Sequence, residues 1–418
     1  MSIRKRAWKT SDGTVRTAWV LDYFDQHRKR RLRTFDRKQD AERFQANTRV
    51  EIGKGIHIAE RESITIKQAG DLWLAECRAE NLEPTTVEQY SQHLRLHIEP
   101  FMGATKLSQI GVPRVSAFRT TLREQGRSAA MVKGVLGSLG SLISAAQERG
   151  QAAHNPVREL RRTRRGKHGK AVEKRHKPKL RVGVDIPLPE EMRALVAKAK
   201  GRWKPLLMTA VVTGLRASEL RGLRWEDVHL DLEGESEIHV NQRADKFRRI
   251  GSPKSASSYR TIPLAKNAAK ALAEWKLICP RKREHSKDVG KLWLVFPNGA
   301  GNVELLGNII KRGLIPTMIA AGLTVPLLNE HKRQRRDKAG KPIVKAKYTG
   351  MHALRHFFAS WCINRIKDDG CELPPKVVQE LLGHSTIAMT MDVYGHLFPR
   401  NDDRAELEAA AQSLFGAS

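Results

Sequence analysis

The sequence predicts a mainly α-helical protein with small β-sheets (α+β), divided into several domains along one chain. Three observations predict this. At 418 residues the chain exceeds one ordinary domain. Helical periodicity governs the long stretches 63–160 and 188–400, while strand-like alternation is confined to short runs. Between them, residues 161–181 carry eleven Lys and Arg against the single acid Glu173. With no apolar periodicity that stretch cannot bury a core, so it reads as part of a linker, 161–187.

The elements follow in order. In residues 1–62, Trp19, Leu21 and Tyr23 alternate with other residues, as a strand does. The polar turn Asp25-Gln26-His27 leads to a basic strand, Arg28 to Phe35. Asp36 is placed to cap a helix over Gln39 to Val50, with Ala41 and Phe44 inward. The unit reads as a three-stranded sheet plus helix. Its arginine-rich strand suits phosphate contact and a solvated basic face equally. Residues 63–160 read as a four-helix domain. Thr65-Ile66-Lys67-Gln68 and Thr85-Thr86-Val87-Glu88 both fit a capping box. Met131, Val132, Val135, Leu136, Leu139, Leu142, Ile143 and Ala146 form one buried stripe of a long helix, which Asn155-Pro156 ends. From 188 a second, larger domain begins. Pro189-Glu190-Glu191 opens a helix with Met192, Leu195 and Val196 on one face. Short strands follow over Glu237 to Ala244 and Tyr259 to Leu264, and the rest is helical. In the tail, 401–418, Leu407, Ala410, Ala411, Leu414 and Phe415 are spaced like one helix face.

Composition narrows the class. Lys and Arg number 76 against 45 Asp and Glu, a net charge of +31, which favours a polyanionic partner. The excess is spread along the chain rather than gathered in one amphipathic helix, so nucleic acid fits better than a membrane surface. No apolar stretch approaches the roughly 20 residues of a membrane span. Met1 to Thr10 is basic without a following apolar core, unlike a signal peptide. Cys77, Cys279, Cys362 and Cys371 lie far apart with no CxxC spacing, which fits a reduced cytoplasmic protein.

Four segments of the second domain carry candidate chemistry. In Thr213-Gly214-Leu215-Arg216-Ala217-Ser218-Glu219-Leu220, Gly214 breaks a buried helix and Arg216 follows at a turn. Pro253-Lys254-Ser255 sets a lysine beside the strand Tyr259 to Leu264, although Lys246 lies in the same strand-loop-strand region. In Met351-His352-Ala353-Leu354-Arg355-His356, His352 and Arg355 share a helical face. His352 and His356 have the spacing of a zinc pair, yet position 353 is Ala rather than a glutamate base and no third ligand is apparent. The fourth runs from Leu381 to His396. Gly383 ends one helix, Ser385 caps the next, and His384 sits at a helix start where a phosphate is welcome. Tyr394 follows ten residues later.

Each segment alone is ordinary. Together, in this order, TGLRASEL, HALRH, LGHS and MTMDVYGH resemble the tyrosine recombinase family, also called phage integrases, across residues 188–400. More loosely, 1–62 is similar to the family's arm-type DNA-binding domain and 63–160 to its helical core-binding (SAM-like) domain. The resemblance implies a site-specific DNA recombinase that cleaves and rejoins strands through a 3′-phosphotyrosyl intermediate, for integration or excision of a phage or other mobile element. It implies that Arg216 and Arg355 hold the scissile phosphate's non-bridging oxygens, that His384 adds a donor, and that Lys254 protonates the leaving 5′ oxygen. By the same resemblance His352 assists in taking the proton of the nucleophile, Tyr394, and Glu219 supports Arg216. His356 and His396 are structural or supporting.

The chemistry is coherent beside the family name. A phenol with a pKa near 10 needs a base or a positive field to attack phosphorus. Two arginines, a lysine and two histidines supply that field with no cofactor or metal. If 384–394 formed one straight helix, however, the two Cα atoms would lie roughly 15 Å apart, so either the side chains lean together or the helix bends. Alternatives are a type IB topoisomerase-like nicking and religating activity, and a non-catalytic DNA-binding protein of the same fold. A metal-dependent nuclease lacks an acidic ligand cluster. The implied partners are double-stranded DNA attachment sites, three further copies in a homotetramer on synapsed DNA, and DNA-bending and directionality proteins. No membrane is implied, and the setting is the nucleoid of a bacterial host. Arg161, Arg162, Arg164, Arg165, Lys167 and Lys170 are candidate phosphate contacts, and the tail is a candidate contact with a neighbouring subunit.

Overall fold

The computed structural model describes residues 1–53, 55–160, 179–281, 293–330, 333–337, 339–398, 408, 411–414 and 416. It divides into two compact units, Met1–Arg175 and His176–Ser418. Most of the basic linker, including all six candidate phosphate contacts, lies outside the described residues, as do Leu407, Ala410 and Phe415 of the tail.

The first unit opens with an antiparallel three-stranded sheet, Ser2–Lys9, Val15–Phe24 and Arg30–Phe35, with the second strand central. Leu21 and Tyr23 are buried as the alternation predicts, while Ala18 and Val20 are buried on the other face. The helix packed against this sheet is Lys38–Gly53, so Arg37 rather than Asp36 adjoins its start. Four helical segments follow: Ile66–Ala79, Pro84–His93 with its continuation to Met102, Val112–Glu124 and Ala129–Glu148.

The Thr65 capping box forms, with Thr65 Oγ1 accepting from Gln68 N at 3.2 Å and Gln68 Oε1 accepting from Thr65 N at 3.0 Å. The box at Thr85 does not, because Pro84 already occupies the first helical turn behind Glu83. The long stripe is buried from Val132 to Ala146, but Met131 at its start is exposed. That helix stops at Glu148, before Asn155-Pro156. Asn155 is buried and does other work, donating to Gly140 O at 2.8 Å and accepting from Val157 N at 3.1 Å. Contrary to the sequence reading, Ala129–Glu148 has the length and composition of a membrane span, yet its apolar stripe is spent on this core.

The second unit surrounds one large core. Helices Pro189–Lys198, Trp203–Thr213, Lys266–Ile278 and His352–Ile363 contribute to it, together with the antiparallel sheet Val228–His229, Ser236–Val240 and Arg260–Leu264. Ile238 pairs with Ile262 and Val240 with Arg260. The expected strand 237–244 is two pieces, since Arg243–Ala244 leaves the sheet to pair with Ile250–Gly251. A smaller cluster, Phe358, Ala359, Cys362, Ile363, Val378, Leu382 and Tyr394, joins the histidine-bearing helix to two later helices, Pro375–Leu382 and Ile387–Tyr394.

Candidate active site

The site is organised by a helix end. The last carbonyls of any helix lack intrahelical partners and carry its partial negative charge. At the end of Pro375–Leu382 three consecutive carbonyls are each met by an arginine from a different part of the unit. Arg260 donates to Leu381 O at 2.8 Å, Arg355 to Leu382 O, and Arg216 to Gly383 O at 2.8 Å. Gly383 itself adopts the left-handed conformation (φ 61°) that ends the helix.

Local sequence explains how each arginine arrives. Trp203–Thr213 ends at Gly214, also left-handed (φ 58°), and a Cβ there would stand 2.3 Å from Phe358 Cδ1. The tight turn lets Arg216 precede the short helix Ala217–Gly222. Glu219, one turn on, accepts from Arg216 N at 2.8 Å and from Arg216 Nη1 at 2.7 Å. Arg260 alternates with Ile262 and Leu264 on the inward face of its strand, and its Nη2 reaches Glu219 Oε2 at 2.9 Å. Arg355, 2% exposed, also donates to Gly214 O at 2.7 Å. One buried carboxylate thus fixes two of three guanidinium groups.

The electrostatics follow from this imbalance. Burial alone would raise the Glu219 carboxyl, but the charges of Arg260 and Arg216 outweigh it and hold the group ionised below its ordinary range. Burial and the charge of Arg216 push the Arg355 guanidinium down to about 9, so it remains a cation at neutral pH. The cluster is strongly electropositive, and a phosphodiester is the kind of anion that would relieve it.

Tyr394 is 2% exposed at the end of the helix Ile387–Tyr394. Burial pushes its phenol up to about 12, against the opposing charge of Arg355. Its hydroxyl lies 2.7 Å from His356 Nδ1. The His356 ring in turn meets His352 edge-to-face, with centroids 4.5 Å apart. His384 is parallel to the Tyr394 ring at 6.4 Å between centroids, and its Nδ1 lies 2.9 Å from Thr390 Oγ1. Burial, then the neighbouring cationic and imidazole groups, lower both His356 and His384 to about 4. His352 reaches solvent, yet the surrounding protein and the charges of Arg355 and Arg216 lower its pKa too. All three imidazoles are therefore neutral at pH 7.

Arg216, Glu219, Arg355, His384 and Tyr394 come together, and His352 joins them through His356. Of the two arrangements the sequence left open, a bend is what forms: residues 383–386 are a turn between two helices. The tyrosine-bearing helix starts only at Ile387 and is capped by Thr386 rather than Ser385, with Thr386 Oγ1 accepting from Met389 N at 3.3 Å. His396 is peripheral, pairing with Leu180 O at 2.7 Å. The two lysines are not drawn in. Lys254 is exposed in the loop after the 243–251 hairpin, and Lys246 lies over the Phe247 ring at 4.8 Å. Among the described residues neither bonds to the cluster. Sequence reasoning passed over Arg260 and the contact of His356 with the phenol. The first was signalled by an arginine in phase with inward Ile262 and Leu264.

Comparison with known proteins identifies the family. The phage integrase family model matches residues 188–400, and that of the phage integrase N-terminal SAM-like domain matches 65–122. The chain is 28% identical over 363 residues to a tyrosine recombinase XerC-like protein of Caldanaerobacter subterraneus subsp. tengcongensis, covering 85% of this chain and 84% of that one. It is 22% identical over 348 residues to the ICEBs1 integrase of Bacillus subtilis, covering 81% and 80%. The fold is similar to that of the Tn1549 transposon integrase in complex with a circular intermediate DNA (TM-score 0.58, 19% identity, 84% of this chain and 100% of that one). It is also similar to a lambda integrase dimer bound to a COC′ core site (TM-score 0.53, 16% identity, 95% and 97%). With more than half its length matched by the family's own model, this chain belongs to the phage integrase family.

Proposed function

We propose that this protein is a site-specific DNA recombinase, an integrase that moves a phage or other mobile element by way of a covalent 3′-phosphotyrosyl intermediate. One observation carries the reading: Arg216, Arg355, His384 and Tyr394, from three separate segments, gather around a single helix end. Arg216 and Arg355 are suited to grip the non-bridging oxygens of one phosphate, since a planar guanidinium offers paired donors. His384 adds a neutral donor. Tyr394 Oη attacks phosphorus, the 5′ oxygen leaves with a proton, and Lys254 is the proposed source of that proton, brought in by its loop when DNA binds. The phosphotyrosine retains the phosphodiester's energy, so another 5′ hydroxyl can reverse the step without ATP.

The domain roles proposed with this are an arm-type DNA-binding domain at 1–62, a core-binding domain at 63–160, a DNA-tracking linker at 161–187, a catalytic domain at 188–400 and a subunit-linking tail at 401–418. Lambda integrase is known as a tetramer on a Holliday junction, and its fold is similar to this one (TM-score 0.51). That supports a homotetramer acting on two duplexes of a bacterial nucleoid, assisted by DNA-bending and directionality proteins.

The test is a nicked suicide duplex drawn from the DNA flanking the gene, incubated with EDTA. A protein–DNA adduct that survives boiling detergent is expected from the wild type and not from Tyr394→Phe, which should bind DNA normally. An adduct from the phenylalanine variant refutes the assignment of the nucleophile.

A further inference from the structure

The phenol's hydrogen-bond partner is not the histidine that family resemblance nominates. Tyr394 Oη lies 2.7 Å from Nδ1 of His356, within direct proton-transfer reach, whereas His352 meets the His356 ring and not the phenol. Both histidines project from His352–Ile363, one helical turn apart. His356 is the inner of the two, and Tyr394 packs among Phe358, Ala359 and Cys362 of the same helix. Resting on the recombinase reading above, we infer that His356 is a catalytic residue, the general base that receives the Tyr394 proton.

In the step, the Oη–P bond forms as the P–O5′ bond breaks, and the phenol proton passes to His356 Nδ1. The 5′ oxygen takes its proton from Lys254, the acid proposed above, which recovers one from the attacking 5′ hydroxyl on religation. On religation the same imidazolium returns the proton to Oη, so no co-reactant is consumed. The groups around His356 favour the neutral, accepting form. Burial, His352 and Arg355 lower its pKa, opposed by Asp185. Against a phenol raised to about 12, proton transfer ahead of bond formation is strongly uphill. The proton therefore moves as Oη becomes an aryl phosphate oxygen and ceases to be basic. A phosphodiester held by Arg216 and Arg355 adds negative charge that further favours the imidazolium. His352, edge-on to His356 at 4.5 Å between centroids, orients the base.

The experiment measures single-turnover cleavage of the nicked suicide duplex by full-length protein carrying His356→Asn, His356→Ala or Tyr394→Phe. Asparagine keeps a polar acceptor near the Nδ1 position but cannot take a proton, so it separates holding the phenol from deprotonating it. Both His356 variants are expected to bind DNA with wild-type salt dependence and to cleave about 10²–10⁴-fold more slowly. Added imidazole should restore His356→Ala at least about tenfold, a rescue that a purely structural role would not give. Cleavage by His356→Asn within about threefold of wild type, or an imidazole-insensitive His356→Ala, overturns the inference while leaving the nucleophile intact. Adduct formation by Tyr394→Phe would instead overturn the recombinase reading itself.

Discussion

Replacing Glu219 with Gln tests the scaffold on which the site depends. The carboxylate is 3% exposed and meets Arg260 at 2.9 Å and Arg216 at 2.7 Å. Glutamine preserves its volume and can still accept from the Arg216 backbone, so the change removes charge and little else. Arg216 is 33% exposed at its side chain and can turn to water. Arg260, 5% exposed, cannot, and is left as an unpaired buried cation. Breaking a buried pair on one side costs about 3–5 kcal/mol. For a unit of this size 1 kcal/mol corresponds to roughly 2–4 °C, so the melting transition of His176–Ser418 should fall by roughly 6–20 °C. Differential scanning calorimetry reads this directly. At a temperature where the variant is folded, suicide-substrate cleavage should also slow about a hundredfold as Arg216 loses its fixed direction. A shift under about 2 °C with normal cleavage would refute the claim that Glu219 holds the two arginines.

Two further outcomes follow from the same geometry. Gly214→Ala forces a side chain into a left-handed residue and against Phe358 at 2.3 Å, costing about 2–5 kcal/mol and displacing the carbonyl that binds Arg355; a variant of wild-type stability in urea titration would contradict this. Acid should destabilise the unit well above the carboxylate range. His356 and His384 titrate near 4 when folded and near 6.5 when unfolded, so their contribution is complete above about 6.5 and is lost as pH falls towards 4. Between pH 7 and 5 this amounts to about 1 kcal/mol per histidine after allowance for solvent screening, and a melting temperature flat across that window would argue against both shifts.

Local punctuation was readable in the sequence, while convergence was not. Gly214 and Gly383 marked helix ends by residue type alone, and both are left-handed. His352 and Arg355 were read at the head of an apolar helix, on one face, and that helix is there. Where two neighbouring hydroxyl residues could cap a helix equally, local reading slipped by one, as with Ser385 for Thr386. Met131 is in phase with the buried stripe yet exposed, since periodicity says which face is apolar and not how far the neighbouring helices reach. Arg260 was in phase with a buried face, but an inward arginine makes sense only once Glu219 and the Leu381 carbonyl are known to lie opposite. No local pattern encodes three arginines meeting one helix end. For Lys246 and Lys254, charge and chain position are nearly the same, and both remain in solvent-facing loops.

The most direct measurement is to locate the covalent bond to DNA. The adduct trapped on a suicide duplex is digested with nuclease and trypsin, and the modified peptide is sequenced by tandem mass spectrometry. Cleavage after Lys376 and Arg400 releases one peptide in which Tyr394 is the single tyrosine. The account predicts a 3′-linked nucleotide on that residue. A nucleotide on any other side chain, or a 5′ linkage at Tyr394, would contradict it.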